Sequence, residues 1–407
     1  MKNLFYLTLI CVLLTTSCSQ EDFNIPNTNE PDASSVLANS NDFQNFNISN
    51  HTTLFSEQVG FNGIYFRGLA DQFTTTNAYR GFWDYCIQPR TAVNNQTSND
   101  DLSFQAGGPW DGFNSVINNA NTVIKNIVLE ANEVILDDGS DVTNQELAGA
   151  YFDKGVGLGY LSMIYDKAYL VNPDTDVNNL VFSSYTEVLA AAIENIESAI
   201  ASANAQGSSF EYNLYIDSAS VGLNQFTELA YSYLARFSIA IARTDSEAQG
   251  LDYNKILGYA NQGLSSDFYP LSSENVFYNN FQDWSLFTLG DGAGYMPTDI
   301  KIQHLFDPSY PTDYPTDETI LPAATSNDPR LTMYYEYVGG KFGFLRESRG
   351  RELFSSYRHI RFFNDNDENA DGLPVEIFSK AEIDYIKAEC YYRMSNYPGA
   401  VSALNAS

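Results

Sequence analysis

The 407-residue chain carries 51 acidic side chains against 21 basic ones, a formal charge of −30. Nucleic-acid affinity rests on Lys and Arg neutralising phosphates, so this balance argues against nucleic acid as a partner. Hydrophobic residues make up 44% and aromatics 14%, with 28 Tyr and 27 Phe, which excludes a disordered chain and supplies one large core or two smaller ones.

At the N-terminus, Lys2 precedes an apolar run over residues 4–14 that closes on Thr15, Thr16, Ser17 and Cys18. The run is shorter than the roughly 20 residues needed to span a bilayer. A basic start, a short apolar core and small residues before a cut site make an export signal over residues 1–17. Cys18 stands where lipoprotein processing modifies a thiol and is the expected lipid attachment site; an ordinary secretory signal is the alternative. Ser19, Gln20, Glu21 and Asp22 resemble the acidic tag that sends Bacteroidetes lipoproteins to the outer face of the outer membrane. Cys86 and Cys390 then remain, and they pair only if the fold brings them together. Cys390 reads as a small apolar residue within a helical pattern.

Residues 18–50 are rich in Asn, Ser, Asp and Pro without a period and read as a lipidated tether, leaving 51–407 as the domain. The spacing beyond it predicts an all-α, mainly helical class. Four segments start on an aromatic residue and continue at the spacing of one helix face: Trp110, Phe113, Ile117; Tyr185, Val188, Leu189, Ala192; Tyr253, Ile256, Leu257, Ala260; and Tyr397, Ala400, Val401, Leu404. Trp110 fits such a face and reads as core. Further helical patterns over 148–169, 223–243 and 378–394 precede three of them, so each pair forms a hairpin. Hairpins of this kind bury an apolar stripe by stacking on neighbours, the logic of tetratricopeptide-like repeats. Long insertions over 62–109 and 265–377 carry Gly, Pro, Asn, Asp and aromatics, and ordered insertions of that length are usually functional. Gly155, Gly157 and Gly159 lie inside a helical pattern without a preceding strand, so they predict close helix packing rather than a phosphate loop.

Several motifs carry a family resemblance over nearly the whole length. Trp110-Asp111-Gly112-Phe113, running on to Ile117, Ala120 and Asn121, is similar to a tryptophan-led helix ending in Ala-Asn; Asn327-Asp328-Pro329-Arg330 resembles an Asp-x-Arg signature. The most specific is the helix with two Ala-Glu pairs, Ala381-Glu382 and Ala388-Glu389, followed by Tyr397. On these motifs the chain resembles the SusD/RagB family of Bacteroidetes outer-membrane nutrient-binding lipoproteins. Phe378 and Lys380 depart from it, since an Arg-Tyr pair is common before Ala-Glu. Family members also continue beyond the point matching Ser407, so a C-terminal truncation is expected. The resemblance implies a SusD-like scaffold, an outer-membrane location facing the cell exterior, and a SusC-like TonB-dependent transporter as partner.

Catalytic motifs are sparse: the sequence holds no His-Glu-x-x-His, no Gly-x-Ser-x-Gly and no Walker-type loop, and its histidines are only His51, His304 and His359. No cofactor is expected to be required. Asp367, Asn369, Asp371 and the Leu373 carbonyl match the opening of a calcium loop, although position twelve is Phe378 rather than glutamate; a structural calcium there competes with a solvated acidic turn. Loop aromatics are the stronger ligand candidates, because sugars stack apolar C–H faces on rings while Asn, Asp and Arg bind the hydroxyls. One group is Tyr79, Arg80, Trp83, Asp84 and Tyr85; the other is Tyr278, Asn280, Asp283 and Trp284. Each tryptophan has the alternative role of anchoring its insertion to the helical body. Arg67 and Arg90 offer further hydroxyl ligands, with salt bridges as the competing use. The sequence thus reads as a non-enzymatic receptor that captures a nutrient, foremost an oligosaccharide, for transport, with an exported glycan-degrading enzyme or a protein-binding helical scaffold as alternatives.

Overall fold

Side chains at helical spacing dominate residues 109–261, and the chain folds there into long helices joined by short links. The computed structural model describes residues 37, 39–59, 61–74, 86, 108–214, 220–270, 297–313, 320–339, 356–360 and 376–407. The helices are α1 (Ser40–Val59), α2 (Phe61–Leu69), α3 (Pro109–Ile124), α4 (Thr143–Ile164), α5 (Tyr185–Gln206), α6 (Leu223–Ala240), α7 (Asp245–Gln249) and α8 (Tyr253–Asn261), then α9 (Ile300–Phe306), α10 (Arg330–Tyr334), α11 (Lys380–Arg393) and α12 (Tyr397–Leu404). Strands are short and pair only as antiparallel couples: β1 (Lys167–Tyr169) with β2 (Phe182–Ser184), β3 (Glu211–Tyr212) with β4 (Val221–Gly222), and β5 (Tyr335–Tyr337) with β6 (Tyr357–His359). The all-α class and the helical hairpins α4–α5, α6–α8 and α11–α12 match the sequence expectation.

Helix α4 is buried on nearly every side, the mark of a central helix. Its closest partner is α5, and α1, α3 and α6 pack around it. Small residues permit the approach. A Cβ on Gly155 would lie 2.5 Å from Ile196 Cγ1 and 3.0 Å from the Ala192 carbonyl oxygen of α5, and one on Gly159 would meet the Phe237 ring of α6 at 2.2 Å. The glycine run is therefore a packing device. A capping box starts α5: Ser184 Oγ accepts from the Glu187 N–H at 3.3 Å and Glu187 accepts from the Ser184 N–H at 2.8 Å. Trp110 is partly buried on the core, edge-on to Tyr165 at 5.1 Å between centroids.

Two expectations need correction. Residues 40–50, assigned to the tether, form the first turns of α1. Its inward face mixes Phe43, Leu54 and Phe55 with Asn47, Asn50 and His51, so no apolar period announces it. These polar groups meet buried acids: Asn47 donates to Glu146 at 2.7 Å, Asn50 to Asp153 at 2.7 Å, and His51 Nδ1 pairs with Asp153. Burial pushes both carboxyls up in pKa. Second, the helical pattern over 148–169 stops at Ile164, and residues 167–169 pair with β2 instead. The long insertions also carry regular elements: most of α2 lies in the first, and α9, α10 and β5–β6 in the second.

Candidate functional site

A cavity of about 740 Å³ opens where α2, α9, α10 and β6 meet the body helices α6 and α11. Residues 72–74 and 297–299 build one wall. Phe73 bridges Thr298 in antiparallel fashion, the Thr74 N–H donates to the Pro297 carbonyl at 2.9 Å, and the Asp299 N–H donates to that of Gln72 at 3.2 Å. Asp299 also caps α9, accepting from the Lys301 N–H at 2.9 Å. The helical register then turns Ile302 and Phe306, four residues apart, onto the cavity while Ile300 is buried on the other side.

Arg330 enters from α10. Asp328 accepts from its Nε at 3.0 Å and from its Nη2 at 2.6 Å, a fork that fixes the guanidinium with its carbon 6.0 Å from the Phe306 ring centroid. These hydrogen bonds hold the Asp328 carboxyl below its usual range. The Asp-x-Arg motif thus delivers its arginine to the cavity. Tyr334 and Tyr335 follow, and the Tyr335 ring stands edge-on to His359 at 5.6 Å between centroids.

The floor is a buried polar relay. Arg236 of α6 donates to both Glu382 oxygens at 2.7 and 2.6 Å and to the Tyr160 hydroxyl at 3.0 Å, and it lies 3.7 Å over the Phe378 ring. Burial works against its charge and Glu382 leads the groups that offset this, so its pKa rises. Tyr160 and Tyr233 both donate to Gln58 Oε1, at 3.0 and 2.6 Å. Phe378, one of the departures from the family pattern, is fully buried and serves as the plate under Arg236. Phe66, Arg67, Gln72, Glu376, Ser379 and Tyr385 complete the lining. Aromatic faces interspersed with directional polar groups can sandwich a sugar ring and bind its hydroxyls.

Apart from Arg67, the residues singled out from sequence as ligand, metal or lipid sites lie outside the described residues. These are Cys18; Tyr79, Arg80, Trp83, Asp84 and Tyr85; Tyr278, Asn280, Asp283 and Trp284; and Asp367, Asn369, Asp371 and Leu373. The two aromatic-bearing segments, 75–85 and 271–296, do share a root: one begins after Thr74 and the other ends before Pro297, which hydrogen-bond to each other on the cavity wall. Sequence reasoning missed Phe306, Tyr334 and Tyr385 as lining residues, and it had given Arg330 a family motif but no role. Arg67, weighed as a ligand residue, does reach the cavity. His51 has no exposed surface and sits in the α1–α4 core away from solvent. Cys86 and Cys390 are buried thiols that are not joined to each other, and burial pushes Cys390 up to about 12. Among the described residues, no group of three His, Cys, Asp or Glu is placed to hold a metal ion, and no helix is long and apolar enough to cross a membrane.

No family model matches the sequence, and no curated protein matches it. Solved structures do. A SusD superfamily protein from Bacteroides vulgatus superposes with a TM-score of 0.58 at 15% identity, over 90% of this chain and 78% of that one. A SusD-like carbohydrate-binding protein from the same organism gives 0.59 at 16%, over 90% and 74%. A SusD/RagB family protein from Bacteroides thetaiotaomicron gives 0.55 at 13%, over 88% and 70%. The chain has the SusD-like fold. At these identities the likeness concerns architecture, and the cavity's chemistry has to be read from this chain's own residues.

Proposed function

We propose that this chain binds an oligosaccharide at the Arg330 cavity and delivers it to a TonB-dependent outer-membrane transporter while tethered through Cys18. The carrying observation is the shared root of the two aromatic-rich segments on the wall of a cavity already lined by Phe66, Phe306, Tyr334 and Tyr385. By their chemistry, Trp83 and Trp284 are the rings proposed to stack on the sugar, with Tyr79, Arg80, Asp84, Tyr85, Tyr278, Asn280 and Asp283 as the proposed hydroxyl-binding residues. A SusD-like relative described as carbohydrate binding supports the ligand class. The export signal and the acidic residues after Cys18 support the outer face of the outer membrane, and the fold class supports the transporter partner. Binding rather than turnover is favoured because Glu382, a carboxylate within the cavity, is held bidentately by Arg236.

A glycan array probed with the wild type and with a Trp83→Ala, Trp284→Ala double variant tests this reading. Binding by the wild type and at least tenfold weaker binding by the variant is the expected outcome. Undiminished binding by a folded variant removes the platform, and release of reducing ends on prolonged incubation turns the receptor into an enzyme.

A further inference from the structure

The cavity's charge stands apart from that of the molecule around it. A chain with 51 acidic and 21 basic side chains gathers Arg67, Arg236 and Arg330 around one hollow, with two carboxylates, Glu376 and Glu382, in the same lining. Glu382 is consumed by Arg236, whose donors also reach Tyr160 and the Ile377 carbonyl. Arg330 differs. Asp328 takes only its Nε and Nη2 edge, the Nη1 group has no partner among the described residues, and the side chain is 62% exposed. The fork to Asp328 and the Phe306 ring hold the guanidinium in place, so its open edge is presented with little loss of side-chain freedom on binding.

Resting on the oligosaccharide reading above, we propose that the cavity selects sugars carrying an anionic group, a uronate carboxylate or a sulfate ester, which the Nη1 edge of Arg330 receives. A planar guanidinium matches both groups in geometry and charge, and a charge-assisted hydrogen bond is about twice as strong as a neutral one. Tyr334 and Phe306, beside Arg330, supply faces for the ring that bears the anion. The surrounding negative charge gives no general attraction for such ligands, so selection depends on this local contact.

The test uses the full chain on an array holding each glycan backbone in neutral, uronate-containing and sulfated forms, with wild type, Arg330→Gln and Arg330→Lys. Tenfold or greater preference for one anionic form over its neutral counterpart is expected. Arg330→Gln should abolish that preference, weakening the anionic form at least tenfold more than its neutral counterpart, and Arg330→Lys should retain part of it; thermal melting checks that each variant is folded. The arm that binds tells carboxylate from sulfate. Equal binding of neutral and anionic forms, or a preference that survives in folded Arg330→Gln, overturns the inference and leaves oligosaccharide binding standing. Failure of wild type to bind any glycan overturns both.

Discussion

Lys154 shows how one residue records its surroundings. It is nearly fully buried in α4, and its Nζ donates to Asn172 Oδ1 at 2.8 Å. Burial lowers its pKa from 10.5 to about 8, against the opposing pull of Glu194 and Asp174. Between those values the unfolded chain holds more protons than the folded one. The residue's contribution to stability is therefore present above pH 10.5 and is lost as pH falls to about 8, with an upper size of about 3 kcal/mol. Chemical denaturation of wild type and Lys154→Gln at pH 8 and pH 10.5 measures it. The wild type should gain stability relative to the variant as pH rises, and a difference independent of pH would contradict the assignment.

At the level of elements, the glycine run sets the separation of α4 from its neighbours. Gly155→Ala forces a methyl against α5 backbone, which cannot yield as a flexible side chain does. A loss of about 1 to 3 kcal/mol is expected, read as a lower denaturation midpoint. Gly157→Ala should cost less, since its nearest neighbour is Ile117 Cγ1 at 3.2 Å. The same elements explain what the sequence discloses. Helices α3, α5 and α8 advertise themselves because each buries an apolar stripe at regular offsets. The start of α1 hides because Asn47, Asn50 and His51 pair with Glu146 and Asp153 more than 90 residues away, a pairing that no local pattern encodes. The early end of α4 hides as well, since Lys167–Tyr169 leaves the helix to meet a strand partner fifteen or so residues on.

Across the whole molecule, a helical body supports a cavity whose lining comes from six separate stretches of chain. The architecture was legible in the hairpin spacing and in the Ala-Glu helix. The cavity was legible only in part: Asp328 and Arg330 stood out as a motif, but Phe306 and Tyr385 acquire meaning only once α9 and α11 face each other across the hollow. Trp83 and Trp284 stand out by their chemistry, and the ladder between Thr74 and Pro297 adds a common root for the segments that carry them. Hydrogen exchange of the full chain, with and without a glycan identified by the array, tests the central claim most directly. The account predicts slowed exchange in Phe61–Leu69, Ile300–Phe306 and Arg330–Tyr334, with α5 and α12 unchanged. Slowing confined to the helical hairpins, with none at these three helices, would contradict it.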